Sequence, residues 1–129
     1  MGQQQLLLLV LGTIIVIVAI VIGITAFNSN AVLQNRDSIV ADINYLSSDT
    51  YSYFIRARMM GGGNGSYTSY QIPSGLQSNG NGDYSKVIAG DGKSITLTGT
   101  SRNGNGTVTA TVDESGTLSS FSFTGAFNQ

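Results

Sequence analysis

The sequence predicts an α+β fold: one long N-terminal helix, apolar in its first half and amphipathic in its second, with a small 3–4-stranded antiparallel β-sheet packed on its C-terminal half. Three observations carry this. An uncharged apolar run opens the chain, a helical stripe follows it without a Pro or Gly break, and the apolar period changes to two after Tyr84.

The first element is residues 1–27. From Leu6 to Phe27 there are 22 residues without a charge, Asn, Gln or Pro, diluted only by Gly12, Thr13, Gly23 and Thr25. A bilayer-spanning helix needs about 20 apolar residues, whereas a signal-peptide core is about 7–15 long and is preceded by positive charge. No Lys or Arg precedes this run, and Ala26-Phe27-Asn28 is a poor cleavage site. The segment therefore reads as a retained membrane-inserting helix.

The second element, residues 28–60, continues the same helix. Val32, Ile39, Leu46 and Tyr53 repeat every seven residues, with Ile43 between them and polar residues elsewhere. Gly61-Gly62-Gly63 ends the helix, with Arg56 and Arg58 placed in its last turn, where positive charge suits the helix dipole. A helix over residues 3–59 is roughly 85 Å long at 1.5 Å per residue. Residues 61–83, rich in Gly, Ser and Asn, read as a loosely packed connection with exposed Tyr67, Tyr70 and, just beyond it, Tyr84.

Residues 84–129 read as the sheet. Ile95 and Leu97, then Val108, Ala110 and Val112, then Phe121 and Phe123 alternate with Ser and Thr. Turn sequences Asn103-Gly104-Asn105-Gly106 and Asp113-Glu114-Ser115-Gly116 separate them, and Lys86–Ala89 supplies a fourth strand. Four strands are too few for a sandwich, so one face needs a cover. The helix stripe is that cover: Ile39, Ile43, Leu46, Tyr53 and Phe54 are expected against Leu97, Val108, Ala110, Val112, Phe121 and Phe123.

Composition narrows the chemistry. Of 129 residues only 10% are charged, against roughly 25% in an average soluble protein, and the net charge is −1. That balance does not suit nucleic-acid binding by phosphate neutralisation. With no His and no Cys, zinc sites, His general bases, thiol nucleophiles and disulfides are excluded. No phosphate loop or nucleophile elbow is present, and the adjacent Asp113 and Glu114 read as a solvated turn. No cofactor is expected. Asn79-Gly80-Asn81-Gly82-Asp83, with Asp91 nearby, spaces oxygen ligands as a calcium loop does, but lacks the bidentate Glu and reads better as turns. Asn64-Gly65-Ser66 and Asn105-Gly106-Thr107 match the glycosylation pattern, making Asn64 and Asn105 candidate acceptors. Tyr45, Tyr51, Tyr53 and Phe54 read as packing aromatics rather than a conducting stack.

An apolar helix running without interruption into an amphipathic one, followed by a small antiparallel sheet, resembles the type IV pilins and their pseudopilin relatives. The likeness rests on residues 1–26 and the amphipathic run to Arg58, and in architecture it covers the whole chain. It implies a structural, non-enzymatic subunit that polymerises with copies of itself into a helical extracellular or cell-surface filament. The subunit is membrane-inserted before assembly and is handled by pilus assembly machinery. It implies a filament core built by Gln5, Leu6, Leu9, Gly12, Ile15, Val18, Ile22 and Gly23. Family members carry a cleaved leader and Glu at the fifth mature position. Here Met1-Gly2-Gln3-Gln4-Gln5 leaves three readings open: a mature chain starting at Met1 with Gln5 in the Glu position, cleavage after Gly2, or assembly without processing. A mature chain including Met1 is favoured, with Met1 the implied N-methylation site. Gln3, Gln4 and Gln5 either replace the Glu-to-terminus ion pair by an amide network or lie in the headgroup region. Near Gly12 or Gly23 the assembled helix is expected either to unwind or to pack closely while staying helical. A pseudopilin of a secretion piston and a single-pass membrane-anchored binding module are the alternatives.

Overall fold

A computed structural model describes residues 2–128. The readings that place Met1 first, or methylate it, lie outside the described residues. The chain divides into two units, Met1–Val32 and Leu33–Gln129. One helix, α1 (Gly2–Ile55), supplies all the described residues of the first and the opening of the second. The fold is α+β, with α1 packed against a four-stranded antiparallel sheet.

The sheet is a meander in the order β1 (Gly82–Ile88), β2 (Ile95–Ser101), β3 (Thr107–Val112) and β4 (Leu118–Phe123). β1 begins earlier than the expected Lys86, because Asp83 and Tyr84 already pair with Thr100 and Gly99. In β2 and β3 the alternation holds: Ile95, Leu97, Val108, Ala110 and Val112 are fully buried, and the threonines between them are half-buried on the other face.

Against those residues α1 buries Ile39, Ile43, Leu46, Thr50 and Phe54. The expected heptad stripe is corrected at its end, since Tyr53 is only half-buried while Thr50 is fully buried. A straight helix drifts about 20° per heptad against a strict seven-residue repeat, so four turns beyond Ile39 the inward position is Phe54. Thr50 is tolerated there because its hydroxyl donates to the Leu46 carbonyl at 2.6 Å. Tyr53 instead meets the Tyr70 ring edge-on, 5.4 Å between centroids.

Phe121 and Phe123 are not core residues as expected: Phe121 is exposed and Phe123 half-buried. β4 is an edge strand whose register against β3 shifts between Thr109 and Thr111, with Ser120 in left-handed conformation (φ 57°). One helix covers the two central strands and leaves this rim, where Phe121 and Phe123 stack on each other and the Arg36 guanidinium lies 5.7 Å from the Phe123 ring centre. The core closes instead with Phe127. It lies in a 3-10 turn, Gly125–Phe127, tied back by Ala126 N–H donating to the Asn105 carbonyl at 2.7 Å.

The connection after α1 is ordered, contrary to the loose loop expected. Tyr67, Tyr70, Ile72 and Tyr84 are buried, not exposed. The helix also ends at Ile55, so Arg56 and Arg58 lie beyond its last turn rather than in it. The glycine run then folds back over the helix end: Gly62, Gly63, Asn64 and Gly65 N–H donate to the carbonyls of Ala57, Tyr53, Arg56 and Phe54 at 2.7–3.0 Å. These bonds satisfy carbonyls that a helix terminus leaves open. Glycine is required at 63, where a Cβ would stand 1.8 Å from the Ser66 carbonyl oxygen.

Gly99 sets the spacing between helix and sheet. A Cβ there would fall 2.5 Å from Ile39 Cγ2 and 2.9 Å from the Tyr84 ring. Gly99→Ala is expected to destabilise the protein by about 1–3 kcal/mol, the usual range for overpacking a filled core. A urea titration by circular dichroism checks this, and an unchanged midpoint would show that Ile39 yields freely.

Candidate functional site

Between Leu6 and Phe27, α1 is long and apolar enough to cross a membrane. Its large side chains are exposed on every side, from 51% at Val18 to 72% at Phe27. Thr13 and Thr25, the polar side chains of this run, donate their hydroxyls to the Leu9 and Val21 carbonyls at 2.8 and 2.9 Å. The surface thus presents no side-chain donor that needs water. That is the condition for burial in lipid or among other apolar helices.

All the residues assigned to assembly lie on this exposed helix. At 100° per residue, Gln5, Leu9, Gly12 and Gly23 share an arc of about 60°. Leu6 and Ile15 flank it, one on each side, Ile22 lies further round, and Val18 faces nearly opposite. At Gly12 the missing side chain leaves a shallow apolar groove of about 490 Å³, flanked by Leu8, Leu9, Val16 and Ile17. Apart from its chain neighbours and the adjacent helix backbone, nothing lies within 4 Å of where a Gly12 Cβ would stand. The helix is regular through Gly12 and Gly23 in the single chain.

In the second unit the loop with calcium-like spacing makes different contacts. Asn79 and Asn81 donate their side-chain amides to Asp42 Oδ2 of α1 at 2.8 and 2.9 Å, and the Tyr84 hydroxyl donates to the same oxygen. Asp83 accepts instead from Ser78 and Arg102. Among the described residues no three Asp or Glu side chains gather as a metal site would require. Partial burial pushes the Asp42 carboxyl up, but the bonds from Tyr84, Asn81 and Asn79 outweigh it and hold the group below its ordinary 3.8. Asp113 is likewise lowered, by its own turn: its carboxylate accepts from the Ser115 hydroxyl at 2.7 Å and from Thr117 N–H at 2.9 Å.

The three tyrosines that sequence reasoning placed on the surface act as ties. Tyr84 reaches Asp42, Tyr70 reaches Asp49 Oδ2 at 2.7 Å, and Tyr67 reaches the Asp113 carbonyl at 2.7 Å. Burial, reinforced by the neighbouring Asp113, pushes the Tyr67 hydroxyl up to about 12; Tyr70 and Tyr84 are raised as well, by burial and by their carboxylate partners. A signal existed in the sequence, since aspartates occur on α1 at 42 and 49, one on each side of Leu46. The pairing itself depends on the path of the loop. Of the candidate glycan acceptors, Asn64 is exposed, and the Asn105 amide is half-buried and donates to Asn35 Oδ1 at 3.3 Å.

No protein-family model matches the chain, and no curated protein or solved structure matches it either.

The Asp42 cluster generates a pH dependence. With the folded carboxyl below 3.8, its contribution to stability is complete above that value and is lost as pH falls through the folded value. Asp42→Asn removes this part, so its unfolding midpoint is expected to fall less between pH 6 and about 3 than that of the unmodified chain. Parallel slopes in denaturant titrations across that range would contradict the cluster. On the alkaline side the tyrosine ties act with opposite sign. Their contribution is complete below 10.0 and is lost as pH rises toward about 12. Tyr67→Phe is expected to flatten that loss.

Proposed function

We propose that this chain is the structural, non-enzymatic subunit of a helical extracellular or cell-surface filament. In this reading it is membrane-inserted through Leu6–Phe27 before assembly and polymerises with copies of itself through that same helix. The observation that carries the reading is the contrast between the two units. Leu33–Gln129 closes its own core, whereas the apolar residues of Leu6–Phe27 are exposed all round the helix. An apolar surface of that extent in water marks an interaction surface. In lipid the apolar transfer term is absent, so helix association there must come from close packing and polar pairing. The Gly12 groove supplies the first and Gln5, on the same arc, the second. Once outside the membrane, the bundle is held by the hydrophobic effect. A contact that repeats head to tail without closing yields a filament.

The resemblance to pilins and pseudopilins in the order of elements supports the same reading, and assembly machinery and a membrane platform belong to it. The decisive experiment is electron microscopy of material sheared from native cells, with peptide mass spectrometry of the same fraction. Long thin filaments containing this chain are expected. Recovery from the membrane pellet alone would favour a membrane-anchored binding module or a short periplasmic piston. A chain beginning at Asn28 is expected to be soluble and unable to polymerise.

Gly12→Leu tests the packing face directly. It fills the groove with a side chain that α1 accepts, so membrane insertion is expected to persist while filament yield falls at least tenfold. Undiminished yield would remove Gly12 from the assembly face.

A further inference from the structure

Two adjoining hollows lie beside the end of α1, in the unit Leu33–Gln129. The larger, about 580 Å³, is lined by Tyr53, Arg58, Ser66, Thr68 and the Gly62-Gly63 backbone. The smaller, about 300 Å³, is lined by Tyr53, Arg56, Gln71 and Asp49. Tyr53 and Ser69 border both, so the two form one groove with an aromatic side chain at its middle. Its volume falls in the range of about 300–1,000 Å³ typical of small-ligand sites.

The groove holds two unpaired cations. Among the described residues the ion pairs are Arg36–Asp37 and Arg102–Asp83, and neither Arg56 nor Arg58 joins one. Asp49, the acid that lines the groove, accepts the Tyr70 hydroxyl, and the groove keeps a net positive charge. Hydroxyls are also available. Ser66 Oγ and Thr68 Oγ1 share one hydrogen bond at 2.7 Å, which leaves one of their two protons free. The close turn of Gly62 and Gly63 keeps the wall free of side chains. A Cβ on Gly62 would strike Arg56 at 2.3 Å, and one on Gly63 would meet the Tyr53 ring at 2.8 Å.

We propose that this groove binds an acidic saccharide, a short chain of sugars carrying carboxylates. Arg56 and Arg58 pair with carboxylates on either side of Tyr53. Guanidinium matches the planar carboxylate with two parallel bonds, which ammonium does not. The Tyr53 ring offers an apolar face to the C–H side of a sugar, and the Ser66, Thr68 and Ser69 hydroxyls meet ring hydroxyls. This site is independent of how the first unit associates, and its loss would leave the filament reading untouched.

The test uses the full chain in detergent micelles, with trigalacturonate as the probe and isothermal titration calorimetry as the readout. Trigalacturonate is expected to bind, and a neutral dextran trisaccharide to give no heat. Arg56→Gln and Arg58→Gln are each expected to weaken binding about tenfold, the loss of one charge-assisted pair. Lys86→Gln, on β1 and outside the groove, is expected to leave it unchanged. Three results overturn the proposal: no binding of trigalacturonate, equal binding by the double arginine variant with an unchanged circular dichroism spectrum, or equal affinity for tripolyphosphate, which would reduce the groove to non-selective charge attraction.

Discussion

The sheet has a single helix to cover its inner face, and the close seating of Ile39 over Gly99 governs how that is done. Without a side chain at 99, Ile39 reaches the backbone of a central strand. The next inward residues, Ile43, Leu46, Thr50 and Phe54, then follow the helix path across Leu97, Val108, Ala110 and Val112. A cylinder laid on a twisted sheet covers about two strands fully, since interaxial packing distances are about 10 Å and strands lie about 4.8 Å apart. The consequences appear at both edges. β4 leaves Phe121 exposed, and β1 depends on Tyr84, a long side chain, to reach back to the helix.

The connection between helix and sheet solves a second problem. Its composition is that of a flexible linker, yet it carries two buried tyrosines, Tyr67 and Tyr70, and leads into a third, Tyr84 of β1, whose hydroxyls must all find partners. Asp42, Asp49 and the Asp113 carbonyl provide them, and no buried side-chain nitrogen or oxygen among the described residues lacks a hydrogen bond. Each tie joins segments far apart in sequence. The loop therefore behaves as a third layer clamped to helix and sheet, and the glycine run makes the first fold of that clamp by capping the carbonyls at the helix end.

The same helix serves opposite physical demands along its length. Beyond Leu33 it buries one face, Ile39, Ile43, Leu46 and Phe54, against the sheet, and leaves Tyr45 and Ile55 exposed. Before Asn28 apolar residues occupy every face, and the two threonines hide their hydroxyls in their own backbone. The second half is satisfied within one chain. The first requires an apolar surrounding, and lipid or neighbouring helices both meet that need.

Much was legible in the residues alone. The apolar run, the uninterrupted helix, the three alternating strands and the turn sequences are local patterns. They depend on hydrogen bonds between near neighbours and on which face of an element is apolar, so the sequence by itself determined the α+β architecture and the inward sets of β2 and β3. Gln5, Leu9, Gly12 and Gly23 could be placed on one arc by helical geometry. Tertiary structure decided what depends on meeting at a distance. It put Thr50 in place of Tyr53 in the helix seam beside the expected Phe54, left Phe121 on an uncovered rim, recruited Phe127, and buried Tyr67 and Tyr70 of a loop that looked free, with Tyr84 of β1. Those outcomes turn on helix drift, on the width one helix can cover and on the path of a glycine-rich chain. None of these has a signature in a short window of sequence, because each is set by the partner a residue meets after the layers have come together.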